Sequence, residues 1–318
     1  MAFDRKAAID YAKKHWTIPC DDGIFWLTTG SVNVAQKRKQ LKAPAADGWQ
    51  AMFVRYDDAG EKAEKAVFQR GSDEILISDW DGLADCAHFL SKCLQAGGAK
   101  IDERGVTSLV RALQSRSDTK TLCERVSQTS AQRVIDSGIF KNGDMIGYYN
   151  TDPKGDYGAI RYTHSTMYAG KTGSSDPGRV TCHTMSRFPG LSDVEDRWWL
   201  HSGAYEYTLI HFADDDGVIA PGTASSIAGW WKGMFGGDIY YYYFLRDGRA
   251  RWTRTAPKNS ATQLSREVAK GNAYWFDNAG TVTVIWQNSG GIEIWKPDSG
   301  GYKIDWGGRQ GGATKVFP

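Results

Sequence analysis

The stretch Asp85-Cys86-Ala87-His88-Phe89-Leu90-Ser91-Lys92-Cys93-Leu94-Gln95-Ala96-Gly97-Gly98 reads as the clearest helix in the chain. Cys86, Phe89, Leu90, Cys93 and Leu94 recur at helical spacing. Asp85 stands where an N-cap belongs, and Gly97-Gly98 where a C-cap belongs. Cys86 therefore falls in the first turn, where unpaired backbone N–H groups and the helix dipole favour a thiolate. The same N–H groups can hold an oxyanion on a substrate carbonyl. The competing reading makes Cys86 a small buried apolar residue on the helix's inner face, which is the expectation for Cys93 in mid-helix.

A thiolate needs a base, and six histidines compete for that role. His164 lies in Arg161-Tyr162-Thr163-His164-Ser165-Thr166-Met167-Tyr168, a strand of alternating character. His183, in Thr181-Cys182-His183-Thr184, is expected on the next strand, placed to orient the first imidazole. Each also reads as an ordinary strand histidine with a backbone partner. His15, His88, His201 and His211 have weaker cases; His88, two residues past Cys86, is expected to point to another face.

Outward from this pair, residues 4–15 read as a short amphipathic helix capped by Asp4. Phe25-Trp26-Leu27, Met52-Phe53-Val54 and Ile75-Leu76-Ile77 are expected strands within an irregular or β segment over 24–82. The basic run Lys37 to Lys42 is expected as a solvated loop. A second helix carries Val106, Leu109, Val110 and Leu113, and from Gly143 the pattern turns β. The Asp/Gly/Ser-rich residues 214–237 read as a linker. Residues 238–318 are short aromatic strands joined by turn signals such as Asp247-Gly248 and Asp298-Ser299-Gly300-Gly301. They predict a separate antiparallel β domain, a barrel or sandwich. The run Tyr240 to Tyr243 must place aromatics on both faces of one strand. Exposed tryptophans there would suit sugar rings or a partner peptide, with core as the default for any one of them.

The whole composition narrows the classes further. The chain has 318 residues, enough to bury a sizeable core. Thirty-nine basic against 37 acidic side chains leave +2, which points to no nucleic-acid partner. Ile219 to Gly237 is broken by Pro221, glycines and Lys232, so no membrane span is expected. The start Met-Ala-Phe-Asp-Arg-Lys lacks an apolar core, so the chain reads as made in the cytoplasm without a signal peptide. Five scattered cysteines without a CxxC pair disfavour a disulfide scaffold and a structural zinc site.

The Asp85 to Gly98 segment resembles the Asp-Cys-Thr-Asn-Phe-Val-Ser-Gln segment of a bacterial amidase domain family related to NlpC-like and CHAP cysteine peptidases. Phe3 to Lys13 is similar to that family's Tyr-Ala helix, Asn142-Gly143-Asp144-Met145-Ile146 with His164-Ser165 to its Gly-Asp-Val-Ile and His-Ser pair, and Tyr207-Thr208-Leu209-Ile210-His211 to its closing strand. The resemblance covers roughly residues 3–213. It implies an α+β, papain-like cysteine amidase domain over 1–213, with an insertion at about 24–82, followed by the linker and the β accessory domain. It implies Cys86 as nucleophile, His164 as base and His183 as orienting residue, with Asp193 as an alternative. Asp85, His88, Tyr162 and Ser165 flank these and are the expected substrate contacts. His88 and Lys92 depart from the family's Asn and Gln. No metal or organic cofactor is implied.

The expected reaction is hydrolysis of amides in the peptide stems of bacterial peptidoglycan. The missing leader suggests a cargo delivered by a specialised secretion system to a target cell's periplasm or to a host, or a phage-type lysin, with a secretion-system or inhibitor protein as further partner. The alternatives are a toxin-like protease or deamidase acting on host proteins, and a binding protein without activity.

Overall fold

The computed structural model describes residues 2–27, 30–40, 48–58, 61–78, 84–152, 161–184, 186–191, 196–199, 205–213, 227–278 and 280–317. Its elements divide between two units, Met1–Arg116 with Lys141–Tyr205, and Ser117–Phe140 with Glu206–Pro318.

The first unit opens with α1 (Arg5–His15), whose N-cap Asp4 accepts a hydrogen bond from the Ala7 N–H at 2.9 Å. The hairpin β1 (Ile24–Leu27) and β2 (Gly30–Asn33) follows, then α2 (Val34–Gln40). A meander of β3 (Gln50–Asp58), β4 (Glu61–Arg70) and β5 (Asp73–Ser78) comes next. Its own core is Phe53, Ala66, Phe68 and Ile77, with Leu27 and Val32 of the hairpin packed against it. Then α3 (Cys86–Ala96) buries Phe89, Leu90, Cys93 and Leu94 on the face that the helical spacing marks out. The end of α3 holds the start of α1: Asp4 N–H donates to the Gly97 carbonyl at 2.9 Å, and a Cβ on Gly97 would lie 2.3 Å from Phe3 Cε2. Next, α4 (Val106–Gln114) buries Leu109, Val110 and Leu113.

The second unit takes up β6 (Thr119–Val126) and α5 (Gln128–Asp136) before the chain returns to the first for β7 (Met145–Asn150), β8 (Arg161–Gly170) and β9 (Arg179–Thr181). These three pair antiparallel in that order. Opposite β8, Gly147 is closely packed, since a Cβ would meet Val110 of α4 at 3.1 Å and the Tyr162 ring at 3.3 Å. Register slips between Tyr148 and Tyr149, so that Tyr148 faces His164 and Tyr149 faces Tyr162. Thr163 is thus the extra residue of a bulge immediately before His164, a device that re-aims side chains next to functional sites.

Strand β10 (Tyr205–Phe212) pairs with β6 in the second unit. The rest of that unit is a closed barrel: β11 (Gly229–Phe235), β12 (Asp238–Phe244), β13 (Arg249–Thr253), β14 (Gly271–Asn278), β15 (Thr281–Trp286), β16 (Gly291–Asp298), β17 (Gly301–Trp306) and β18 (Arg309–Lys315). Each strand is antiparallel to the next, and β18 returns to β11 with Trp231 opposite Lys315. Gly236 and Gly237, both at positive φ, form the two-residue turn between β11 and β12, which L-side chains adopt poorly. Alternation sends Tyr242, Phe244, Trp275, Trp295 and Ile304 into the barrel, where Trp295 meets Trp231 and Tyr242 edge-on at 6.3 and 5.0 Å. Tyr243 points the other way and stacks on Trp230 at 4.8 Å, so the aromatic run does supply both faces.

The expected papain-like α+β class is overturned. Of the described residues, 45% are strand and 18% helix, and the dominant object is the eight-stranded barrel. The helical spacing of 86–96 and 106–113 is real but short. It is outweighed by strands in the segment before α3 and by β6 through β18. The antiparallel β accessory domain is present as the closed barrel.

Boundaries shift as well. The expected first domain, 1–213, loses Ser117–Phe140 and everything from Glu206 to the second unit. Of the expected linker, residues 214–226 lie outside the described residues, and Gly229–Phe235 is the first barrel strand, with Trp231 and Phe235 inside. Its glycines concealed that alternation. The basic run is solvated as expected, but Lys37, Arg38 and Lys39 belong to a helix, not a loop, with no buried residue. Residues 41 and 42 lie outside the described residues.

Candidate functional site

Helix α3 begins at Cys86, and Asp85 stands just before it in helical conformation with its side chain turned away from the helix end. The carboxylate instead gathers three donors, one from the first turn of α3 and two from distant segments. Oδ1 accepts the Trp26 N–H at 2.7 Å and His88 Nδ1 at 3.0 Å; Oδ2 accepts His183 Nδ1 at 2.6 Å. The Asp85 N–H donates to Thr184 Oγ1 at 3.1 Å, and Thr184 holds a positive φ that a β-branched residue rarely adopts.

Both ring nitrogens of His183 face acceptors, since Nε2 lies 2.8 Å from the His15 carbonyl. A carboxylate faces one nitrogen and a carbonyl the other, and neither can donate to the ring. His88 repeats the arrangement, with Nε2 at 3.0 Å from Asp22 Oδ2. Lys92 Nζ meets the same Asp22 oxygen at 3.0 Å. A line of polar contacts thus runs His183, Asp85, His88, Asp22, Lys92, all within the first unit. Burial works against the Asp85 carboxylate, but the hydrogen bonds and charge of His183 and His88 outweigh it and hold its pKa below the ordinary value. Burial likewise opposes protonation of His88, and Asp85 and Asp22 together hold its pKa above the usual imidazole value. The His183 ring is clasped by Phe89 at 4.0 Å and Phe53 at 4.6 Å.

Cys86 is buried at the same helix end. Burial pushes its thiol up, Asp85's charge adds to this, and Ser165, whose backbone N–H faces the sulfur, and the Ala87 N–H oppose it. The helix N-terminus therefore does what the spacing implies, but desolvation exceeds it. His164, following the β8 bulge, packs its ring 5.3 Å from that of Tyr148. Burial and the Arg187 guanidinium push its pKa down to about 3, so it is a neutral imidazole at physiological pH.

The structure thus joins Asp85 to His88 and His183, and sets Cys86 against Ser165, the residue after His164. His183 serves Asp85, where the sequence reading had it orienting His164. His88, expected on another face, turns back to Asp85. Tyr162 packs edge-on against Tyr149 at 5.0 Å. Asp193 and His201 lie outside the described residues. Sequence reasoning passed over Asp22, Trp26 and Thr184. Only the Asp85–His88 contact has a local signal, the i,i+3 spacing at a helix start.

The second unit has its own cleft of about 250 Å³, lined by Tyr240, Trp252, Trp306, Lys270 and Asn272 among others. No protein-family model, no curated protein and no solved structure matches this chain.

Proposed function

We propose that the chain is a cysteine-dependent amide hydrolase with Cys86 as nucleophile and His164 as base. One observation carries this reading: the Cys86 sulfur lies in the first turn of α3 with the Ser165 and Ala87 N–H groups on it, one residue along β8 from a neutral imidazole. His164 takes the thiol proton as sulfur attacks the amide carbonyl, and returns it to the leaving nitrogen as the C–N bond breaks. The acyl thioester then reacts with a water that gives its proton to the same imidazole, releasing a carboxylic acid and the thiol. The N–H groups at the sulfur are the donors available to the oxyanion. A raised thiol pKa and a lowered imidazole pKa mean that the resting pair is neutral, so the proton moves during attack.

The substrate class follows from the family resemblance: peptide stems of bacterial cell wall. Purified cell-wall sacculi incubated with wild type, Cys86→Ala and His164→Ala, with released amines and peptides separated by chromatography, test both parts. Wild type should release stem peptides, and both variants should fall to background. Equal release by Cys86→Ala would overturn the mechanism. Cleavage of a protein but not of sacculi by wild type would move the substrate to polypeptides.

A further inference from the structure

We propose that Cys20, Asp85 and His88 form a binding site for a divalent transition-metal ion of the zinc type. The three donors come together from the turn after α1 and from the start of α3. One ligand atom of each lies within 4.8 Å of the others, close enough to converge on one ion. All three are buried, with Cys20 at 2%, Asp85 at 1% and His88 at 2% exposure. A thiol, an imidazole and a carboxylate are the mixed donor set of a borderline-soft ion; calcium and magnesium take oxygen ligands alone.

A second observation comes from around the donors. The far nitrogen of His88 donates to the Asp22 carboxylate at 3.0 Å, and Lys92 braces that carboxylate. A ligating histidine is ordinarily held in this way by a carboxylate behind it. The second oxygen of Asp85 is likewise held, by His183 Nδ1 at 2.6 Å. The outer shell of a metal site is therefore built, and only the Nδ1 side of His88 turns inward.

The balance is simple. A dication bonds to Cys20 Sγ, His88 Nδ1 and Asp85 Oδ1; the Cys20 thiol proton and the His88 Nδ1 proton leave to solvent, and nothing is oxidised. Thiolate, carboxylate and dication sum to zero charge, which suits a buried position. Three protein ligands leave one position of a tetrahedral ion for water. The site does not depend on the hydrolase reading, since neither Cys86 nor His164 is a ligand.

The test is titration of the metal-stripped full chain with Co²⁺ under reducing, anaerobic conditions, read by absorbance. One equivalent should produce a thiolate-to-cobalt charge-transfer band that Zn²⁺ then abolishes. Cys20→Ser and His88→Asn should each lose the band, Cys86→Ser should keep it, and Asp22→Asn should bind about 10–100-fold more weakly. Far-ultraviolet circular dichroism establishes whether the variants are folded. Absence of the band in wild type overturns the site whatever the variants do, and so does its persistence in Cys20→Ser. Failure of the hydrolase reading would show instead in the sacculus assay, with the cobalt band unchanged.

Discussion

At Asp85 one buried carboxylate serves two imidazoles and a backbone N–H. Asp85→Asn would take the carboxylate from His183 Nδ1 and leave His88 with Asp22 as its remaining counter-charge. The expected cost is about 3–5 kcal/mol, the range for breaking a buried ion pair by removing one partner, read from the urea midpoint at unchanged m. The pH dependence has two limbs. The Asp85 pKa is depressed, so its contribution is present above the ordinary carboxylate value and fades as pH falls through the depressed one. The His88 pKa is raised, so its contribution is present below 6.5 and fades as pH rises through the raised one. Stability of the first unit should plateau between, and Asp85→Asn should flatten both limbs. Glu293, inside the barrel, behaves in the opposite sense to Asp85. It accepts from Trp286 Nε1 at 3.0 Å, Trp295 Nε1 at 2.9 Å and Tyr242 Oη at 3.3 Å, yet burial outweighs these donors and lifts its pKa from 4.5 to about 7. The folded state then holds a proton that the unfolded chain has lost, so barrel stability should decline from about pH 4.5 to 7, by roughly 3 kcal/mol at 1.36 per unit. Glu293→Gln should remove that slope in thermal melts taken across the interval; an unchanged slope would reassign it.

Among the elements, α3 shows most directly what one sequence can and cannot disclose. Its limits, its buried face and the position of Cys86 follow from a 3.6-residue period and two bracketing signals, all contained in 14 residues from Asp85 to Gly98. The helix N-terminus at the sulfur was legible for the same reason. What α3 touches was not, because Asp85 finds Trp26 59 positions away and His183 98 positions away, and nothing local encodes such partners. The barrel strands from β12 to β17 were legible from alternation and turns; β11, where Gly229 and Gly233 dilute the pattern, and β18, Arg309–Lys315 with Ala313 as its one buried residue, were not. Closure was not legible, since it is a pairing of first strand with last. The same element offers a packing test. Gly97→Ala would force a methyl to 2.3 Å from Phe3 and 2.9 Å from the Asp4 carbonyl. Overpacking of this kind costs about 1–3 kcal/mol, and here it should first loosen α1, seen as faster amide exchange over 5–15 with α4 unaffected.

At the scale of the molecule, the second unit is assembled from two separated parts of the chain. The Glu124 N–H donates to the Gln287 carbonyl, and Gln287 Nε2 donates to the Thr121 carbonyl, both at 2.9 Å. A chain stopped at residue 213 keeps β6 and α5 but strips them of these partners. It should therefore be less stable than the intact protein and expose apolar surface, measured by dye binding and by protease resistance of 117–140. Removal of residues 309–318 should be more damaging, because it bares the edges of both β11 and β17, and open edges recruit other chains. Size-exclusion chromatography should then show oligomers in place of the wild-type species.

That ring of strands also sets a timetable for synthesis. Strand β11 emerges from the ribosome first among the eight, and β18, which covers its free edge, emerges last of them. At cellular elongation rates the wait is on the order of ten seconds. During it, Trp230, Trp231 and Met234 sit on a strand half of whose backbone groups have no permanent mate. Nascent chains of this protein should accordingly depend on holding chaperones far more than the finished molecule does.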